Sequence, residues 1–249
     1  MDVFYGLKSQ EADLVMELIE TLRLKEQSFI NPCSDFCCDR FSEDFVSRLK
    51  VYHALNDDIL KKKTFEFAFA RSLNSCGTTA SVSMNSVHPG EDVLAGGTKY
   101  SLKTEASASI SLSSITISKL MEARWIRECI TKADFLYGVL NNVVSHLKRY
   151  DRILILRAFR QSDSYRYRLV EIPVSVLLGM SNLSADEFTT RTKNGSCRAV
   201  VHINGEFAFC LSLDGSVEKV TITRLREDLC TLHGEWIIPL RNVLEKRVD

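Results

Sequence analysis

Asp92, Lys103 and Glu105 stand within fourteen positions of one another in "GEDVLAGGTKYSLKTEAS", residues 90–107. Two acids and a lysine so close suit phosphodiester chemistry with Mg²⁺, in which carboxylate oxygens converge on the cation and a positive group lies beside the attacking water. A hairpin would position them. Glu91 to Ala95 is a short run, Gly96-Gly97 is a turn signal, and Thr98 to Glu105 alternates. Side chains two apart on a strand share a face, so Ser101, Lys103 and Glu105 point one way and Tyr100 and Leu102 point into a core. A fourth candidate is Glu66 in "FEFAF" (65–69), because a carboxylate among apolar neighbours is costly unless paired or used. The same residues also read as a cross-strand ion pair on a wet sheet face, and the pattern alone leaves both readings open.

The elements that must hold these residues follow from periodicity. Residues 9 to 29 read as an amphipathic helix with Ser9 as N-cap, 30–44 as a loop, and 57 to about 75 as a second helix. In that second helix the "KKK" at 61–63 reads as a solvated face. Residues 106–118, rich in serine, read as a loop or a strand. One or two helices are expected from Lys119 to Tyr150, re-capped at Thr131 with Asp134 completing a capping box. "RILILRAF" (152–159) is a buried type of strand, and the alternating "YRYRLVEI" (165–172) should pair with it. Asn194-Gly195, Asn204-Gly205 and Asp214-Gly215 predict an antiparallel meander over about 187 to 223, then a short helical or irregular tail.

Bulk properties set few limits. The 249 residues suffice for a real core, and no Pro/Gly linker divides them, so a single α+β domain is expected over 1–249. Within it, 1–56 is an N-terminal helical and loop segment, 57–173 the catalytic core and 174–249 a β-rich part that contacts DNA or a second subunit. Thirty-two basic residues balance thirty-two acidic ones, which gives no global bias toward nucleic acid yet allows a local basic groove. No apolar run reaches the roughly 20 residues that span a bilayer. "MDVFYGLKSQEADL" does not read as a leader, which makes a cytoplasmic location with eight free thiols the expectation. Cys33, Cys37 and Cys38 cluster, but they lack the second ligand pair of a zinc site, with His53 the nearest histidine.

A helix-borne Glu, then an Asp, then a strand ending in a lysine resembles the PD-(D/E)xK nucleases. Within them the chain is similar to the SmaI-type II restriction endonucleases. The motifs that carry the resemblance are "FEFAF" (65–69), "SLN" (72–74), "HPGED" (88–92), "LKTEA" (102–106), "LVEIP" (169–173) and "HGEW" (233–236). The resemblance implies a restriction-endonuclease-like core, with a mixed central sheet flanked by helices and the β-meander at its C-terminal side. It also implies Mg²⁺ as cofactor, with Asp92 and the Leu102 backbone carbonyl as metal ligands and Glu66 binding directly or through water. Lys103 would hold or activate the attacking water. Ser101 stands where the general pattern has an acid, and Glu105, on the same face as Lys103, is the residue expected to supply the missing carboxylate.

The resemblance further implies a homodimer acting on double-stranded DNA at a short palindrome such as CCCGGG, cut bluntly to leave 5′-phosphates. A cognate methyltransferase would act on the same site. Base reading calls for arginines, the commonest partners of guanine. The candidates are Arg157, Arg160, Arg166 and Arg168 on the paired strands, and Arg191, Lys193 and Arg198 around the first Asn-Gly turn, with the "ASASISLSS" loop (106–114) as a further groove contact. Two alternatives stay open from the sequence: a structure-specific nuclease of DNA processing, and a non-catalytic DNA-binding protein on the same scaffold.

Overall fold

Gly96 and Gly97 take positive φ, 55° and 87°, where a side chain would be strained, and so they make the tight turn that the alternation on either side requires. In the computed structural model, which describes residues 5–83, 90–106 and 110–240, that turn joins two neighbouring strands toward one side of a seven-stranded sheet. In chain order the strands are β1 (Gln27–Ile30), β2 (Ala80–Val82), β3 (Val93–Ala95), β4 (Thr98–Glu105), β5 (Ser114–Glu122) and β6 (Arg152–Arg160). They continue with β7 (Ser164–Ile172), β8 (Cys197–Ile203), β9 (Glu206–Asp214), β10 (Lys219–Arg226) and β11 (Thr231–Pro239). The large sheet runs β1-β11-β7-β6-β4-β3-β2, and it is mixed because β4 lies parallel to β6 while its other pairs are antiparallel. A second, antiparallel sheet runs β5-β10-β9-β8.

Helices α1 (Ser9–Arg23), α2 (Asp39–Leu55) and α3 (Lys62–Ser75) precede the hairpin. Phe41, Phe45 and Leu49 of α2 and Phe65, Phe69 and Leu73 of α3 recur at helical spacing. They pack with Tyr100, Leu102, Leu154, Leu156, Leu169 and Trp236 of the sheet in one core. The second core joins Ile153, Ile155, Val170 and Ile172 to α4 (Lys132–Gly138), α5 (Val144–Leu147), α6 (Val174–Leu178) and the four-stranded sheet. β6 is thus apolar on both faces, which explains its unbroken hydrophobic run.

Several expectations hold. The hairpin, the pairing of β6 with β7, and the burial of Tyr100 and Leu102 are as read. The capping box at Thr131 is made: Asp134 N donates to Thr131 Oγ1 at 3.2 Å and Thr131 N donates to Asp134 Oδ2 at 2.7 Å.

Others differ. The first helix ends at Arg23, and Lys8 rather than Ser9 is its N-cap. The segment 30–44 is a loop only as far as Cys38, the N-cap of α2, and the second expected helix starts at Lys62 instead of Asp57. Residues 119–128 carry the end of β5 and a short 3-10 turn rather than a helix. Ile115 and Ile117, two apart and both buried, fix β5 as a strand against Leu225 and Ile222. Of the three meander turn signals, Asn204-Gly205 closes the β8–β9 hairpin and Asp214-Gly215 begins the β9–β10 turn, while Asn194-Gly195 precedes β8. The expected irregular tail is β11, which leaves the meander and inserts between β1 and β7. Gly234 permits that insertion, since a Cβ there would meet the Trp236 ring at 2.7 Å and Cys37 Sγ at 3.1 Å.

Candidate active site

Asp92 is the residue just before β3, and its backbone is held on both sides. Its N–H donates to Tyr100 O at 2.9 Å and its carbonyl accepts from Ser83 N at 3.0 Å. The side chain is therefore fixed before any ligand arrives. Oδ2 accepts from Leu102 N at 2.7 Å and from Ser101 Oγ at 3.4 Å. Oδ1 faces outward and accepts from Lys62 Nζ at 2.7 Å.

Glu66 reaches the same point from α3. Buried Phe65 and Phe69 on the core side of the helix hold the first turns of α3 against the sheet, and Glu66 is itself 5% exposed. Such burial calls for compensating charge. Lys62 Nζ lies 3.4 Å from one carboxylate oxygen and Lys63 Nζ 3.0 Å from the other. One ammonium, Lys62, thus bridges Asp92 and Glu66. The expected solvated "KKK" face holds for Lys61 and Lys63, whose side chains are mostly exposed, while Lys62 departs from it by bridging the two acids.

Lys103 sits in the middle of β4 beside this pair. Burial, with the Lys62 ammonium close by, pulls it down to about 8, against the attraction of Asp92 and Glu66. His146 on α5 lies near as well: burial first, then the charges of Lys103 and Arg149, push its imidazole down to about 4. Asp92, Glu66 and Lys103 are therefore brought together at the open end of the β3–β4 hairpin.

Glu105 is placed differently. It shares the strand face with Lys103, but both oxygens are taken. Oε2 accepts from Arg157 Nε at 2.6 Å and Oε1 from Thr116 N at 2.7 Å. Burial pushes its carboxyl up and the Arg157 guanidinium works against that. Glu105 is the direct neighbour of Arg157 on the parallel strand β6, and Arg157 is fully buried. That guanidinium also donates to the carbonyls of Ser111, Leu112 and Ser114. Glu105 and Arg157 together anchor the chain that follows the β4 strand.

Arg157 is consequently no groove-facing base reader. Arg168 pairs with Glu227 and Glu235, and Arg166 lies 3.8 Å from Glu235. Arg191, Lys193 and Arg198 are exposed and stay available. His88 and Pro89 of "HPGED", and residues 107–109 of "ASASISLSS", lie outside the described residues.

Two of the other motifs meet in space. Glu171 of "LVEIP" and His233 of "HGEW" are joined at 2.8 Å, and Arg152 contacts Glu171 and Asp35. Trp236 Nε1 donates to Ser42 Oγ at 2.7 Å in the core. These contacts tie β11 and β7 to the N-terminal segment. Neither tryptophan can be read as a surface contact for DNA: Trp236 is fully buried, and Trp125 packs against Gly138 and the second core.

The cysteine cluster is divided between core and surface. Cys37 is buried, whereas Cys38 Sγ lies 3.6 Å from Cys76 Sγ. Among the described residues no three His, Cys, Asp or Glu side chains form a ready metal cage.

A family model described as type II site-specific deoxyribonuclease, SmaI, matches residues 2–238. The chain is also 34% identical over 218 residues to the type II restriction enzyme SmaI of Serratia marcescens, which covers 85% of each chain. The chain belongs to the SmaI family of type II site-specific deoxyribonucleases. No solved structure matches it. Membership makes it a restriction endonuclease, a hydrolase, and removes the structure-specific and non-catalytic alternatives that the sequence left open. No helix of the described residues is long and apolar enough to cross a membrane.

Lys62 is the site residue that sequence reasoning missed. The available signal was its spacing: it stands four residues before Glu66, the separation at which a lysine and a glutamate meet on one helix face.

Proposed function

We propose that this SmaI-family endonuclease hydrolyses double-stranded DNA with Mg²⁺ as cofactor, on a PD-(D/E)xK core, through Asp92, Glu66 and Lys103. The observation that carries the reading is the convergence of Asp92 and Glu66 on one cation, the Lys62 ammonium, beside the half-buried Lys103. Mg²⁺ fits such a pair, because it keeps several waters and is held by one or two carboxylates plus substrate phosphate. Asp92, Glu66 and the Leu102 carbonyl would hold it. When bound, it supplies Lewis acidity to a phosphoryl oxygen and lowers the pKa of a coordinated water.

The chain's own residues do the positioning. Leu102 N–H and Ser101 Oγ keep Asp92 turned toward the site. The Lys103 ammonium donates hydrogen bonds to the attacking water and holds it in line with the scissile bond. Water oxygen bonds to phosphorus as the bond from phosphorus to the 3′-oxygen breaks, leaving a 5′-phosphate and a 3′-hydroxyl. Glu105, already paired with Arg157, steadies the end of β4, so Glu66 is the second carboxylate of the site in this reading.

The DNA is read as a short palindrome of the CCCGGG kind, cut bluntly by a homodimer whose two-fold axis matches that of the site. Lys62, Lys63 and Lys119 around the carboxylates supply charge for the phosphate backbone. Arg191, Lys193 and Arg198 remain candidates for contact with DNA. A methyltransferase acting on the same sequence protects the host genome.

The test is digestion of unmethylated phage DNA containing CCCGGG sites, with Mg²⁺ or EDTA, alongside Lys103→Ala. Discrete fragments that need Mg²⁺ and vanish in the variant are expected, and their ends give the target and cut position. Fragments that persist with Lys103→Ala would contradict the assignment of that lysine.

A further inference from the structure

Lys62 has the geometry of a cation already in place. Its Nζ lies 2.7 Å from Asp92 Oδ1 and 3.4 Å from Glu66 Oε1, so it sits between the two carboxylates to which the proposed function assigns the metal. Its side chain is 43% exposed, and the stem rises from the first turn of α3 rather than from the core. Glu66, four residues on, keeps a second cation, Lys63, at 3.0 Å on its other oxygen. Lys62 can therefore leave the Asp92–Glu66 pair without stripping Glu66 of all positive charge.

We propose that Lys62 is a built-in counter-cation of this site. In the metal-free protein its ammonium holds Asp92 and Glu66 in the converged arrangement, and a divalent ion entering between them must displace it from Asp92. Two cations cannot share one carboxylate oxygen at contact distance without strong repulsion. Metal binding is thus a competition with Lys62, and the metal-free protein takes up divalent ions more weakly than two bare carboxylates would. Displaced toward solvent, the ammonium remains on a flexible stem beside the site, where a DNA phosphate is the natural new partner. Phosphate that engages Lys62 frees Asp92 for the metal, so DNA and metal binding help each other. Lys62 is a positioning residue in this scheme and not a group that touches the reacting atoms.

This inference rests on the assignment of Asp92 and Glu66 to the metal, and its test separates the two. Mn²⁺, which takes the same all-oxygen octahedral coordination as Mg²⁺, is titrated into the protein without DNA, and the free ion is counted by electron paramagnetic resonance. Wild type, Lys62→Met and Asp92→Asn are compared. Methionine keeps the length of the stem and removes the charge, and at this exposed position the fold is not at risk. The expected result is at least tenfold tighter Mn²⁺ binding by Lys62→Met than by wild type, with binding lost in Asp92→Asn. In EDTA, Lys62→Met should also melt below wild type, with the order reversed in excess Mn²⁺. Equal or weaker binding by Lys62→Met at a site that still needs Asp92 would overturn the counter-cation role alone. Binding indifferent to Asp92→Asn, or undetectable in wild type and Lys62→Met alike, would overturn the metal site and this inference with it.

Discussion

Replacing Lys103 with methionine should stabilise the protein while it destroys the proposed chemistry. Lys103 is held in a poorly solvated position among other cations, and its pKa falls from the ordinary 10.5 to about 8. A lysine whose folded-state pKa is depressed binds protons more readily when unfolded, so its charge opposes folding. The opposition is complete below pH 8 and fades as pH rises through 10.5. A drop of this size corresponds to about 3 kcal/mol at pH 7, falling to roughly half by pH 9.5. Residual solvent access to the side chain makes that an upper bound. For a chain of this size about 3 kcal/mol is roughly 6–12 °C in melting temperature. The assay is thermal or urea unfolding of wild type and Lys103→Met in EDTA, at several pH values between 7 and 9.5. The variant should be the more stable at pH 7, by a margin that narrows with rising pH. A variant no more stable than wild type at pH 7, or a margin that does not change with pH, would refute the claim that Lys103 is a strained cation kept for function.

Arg157→Met should cost about 3–5 kcal/mol in urea unfolding, because it leaves the half-buried Glu105 carboxylate without its partner. Adding Glu105→Gln should recover part of that loss, whereas strictly additive effects would contradict the coupling. Limiting iodoacetamide near pH 8 should alkylate Cys38 well before Cys37 or Cys129, as read by peptide mass mapping. The N–H groups of Phe41 and Arg40 at the start of α2 pull the exposed Cys38 thiol down, while burial pushes Cys37 up to about 12 and Cys129 to about 11. Modification of Cys37 or Cys129 at a matching rate would show that the N-terminus of α2 does not activate Cys38.

The hairpin was legible because its chemistry is local. Two glycines demanded a turn, and strict alternation set Lys103 and Glu105 on one face. What alternation does not set is the partner each side chain finds. Glu105 goes to Arg157, more than fifty residues away in sequence, because β6 happens to lie parallel to β4 in that register. β11 was unreadable for a related reason: nothing in "TLHGEWIIP" tells that it leaves the neighbouring meander and joins a different sheet. Helix α2 was within reach, since Phe41, Phe45 and Leu49 repeat every four residues, but the cysteine-rich loop ahead of it masked its start. The lysines at 61–63 show that a solvent-facing charge run can still serve a site: Lys61 and Lys63 stay exposed, yet Lys62, one turn before the buried Glu66, reaches both acids.

The central claim is that Asp92 and Glu66, rather than Glu105, supply the carboxylates for hydrolysis. Its most direct test is single-turnover cleavage of a CCCGGG duplex in Mg²⁺ by wild type, Asp92→Asn, Glu66→Gln and Glu105→Gln. Gel-shift binding of each in Ca²⁺ separates recognition from chemistry. Asp92→Asn and Glu66→Gln should bind the duplex yet cleave it at least a hundredfold more slowly, on the order of 3 kcal/mol of lost transition-state stabilisation, while Glu105→Gln keeps most of the rate. Cleavage that survives Glu66→Gln but is lost with Glu105→Gln, in a protein still folded and binding, would contradict the account.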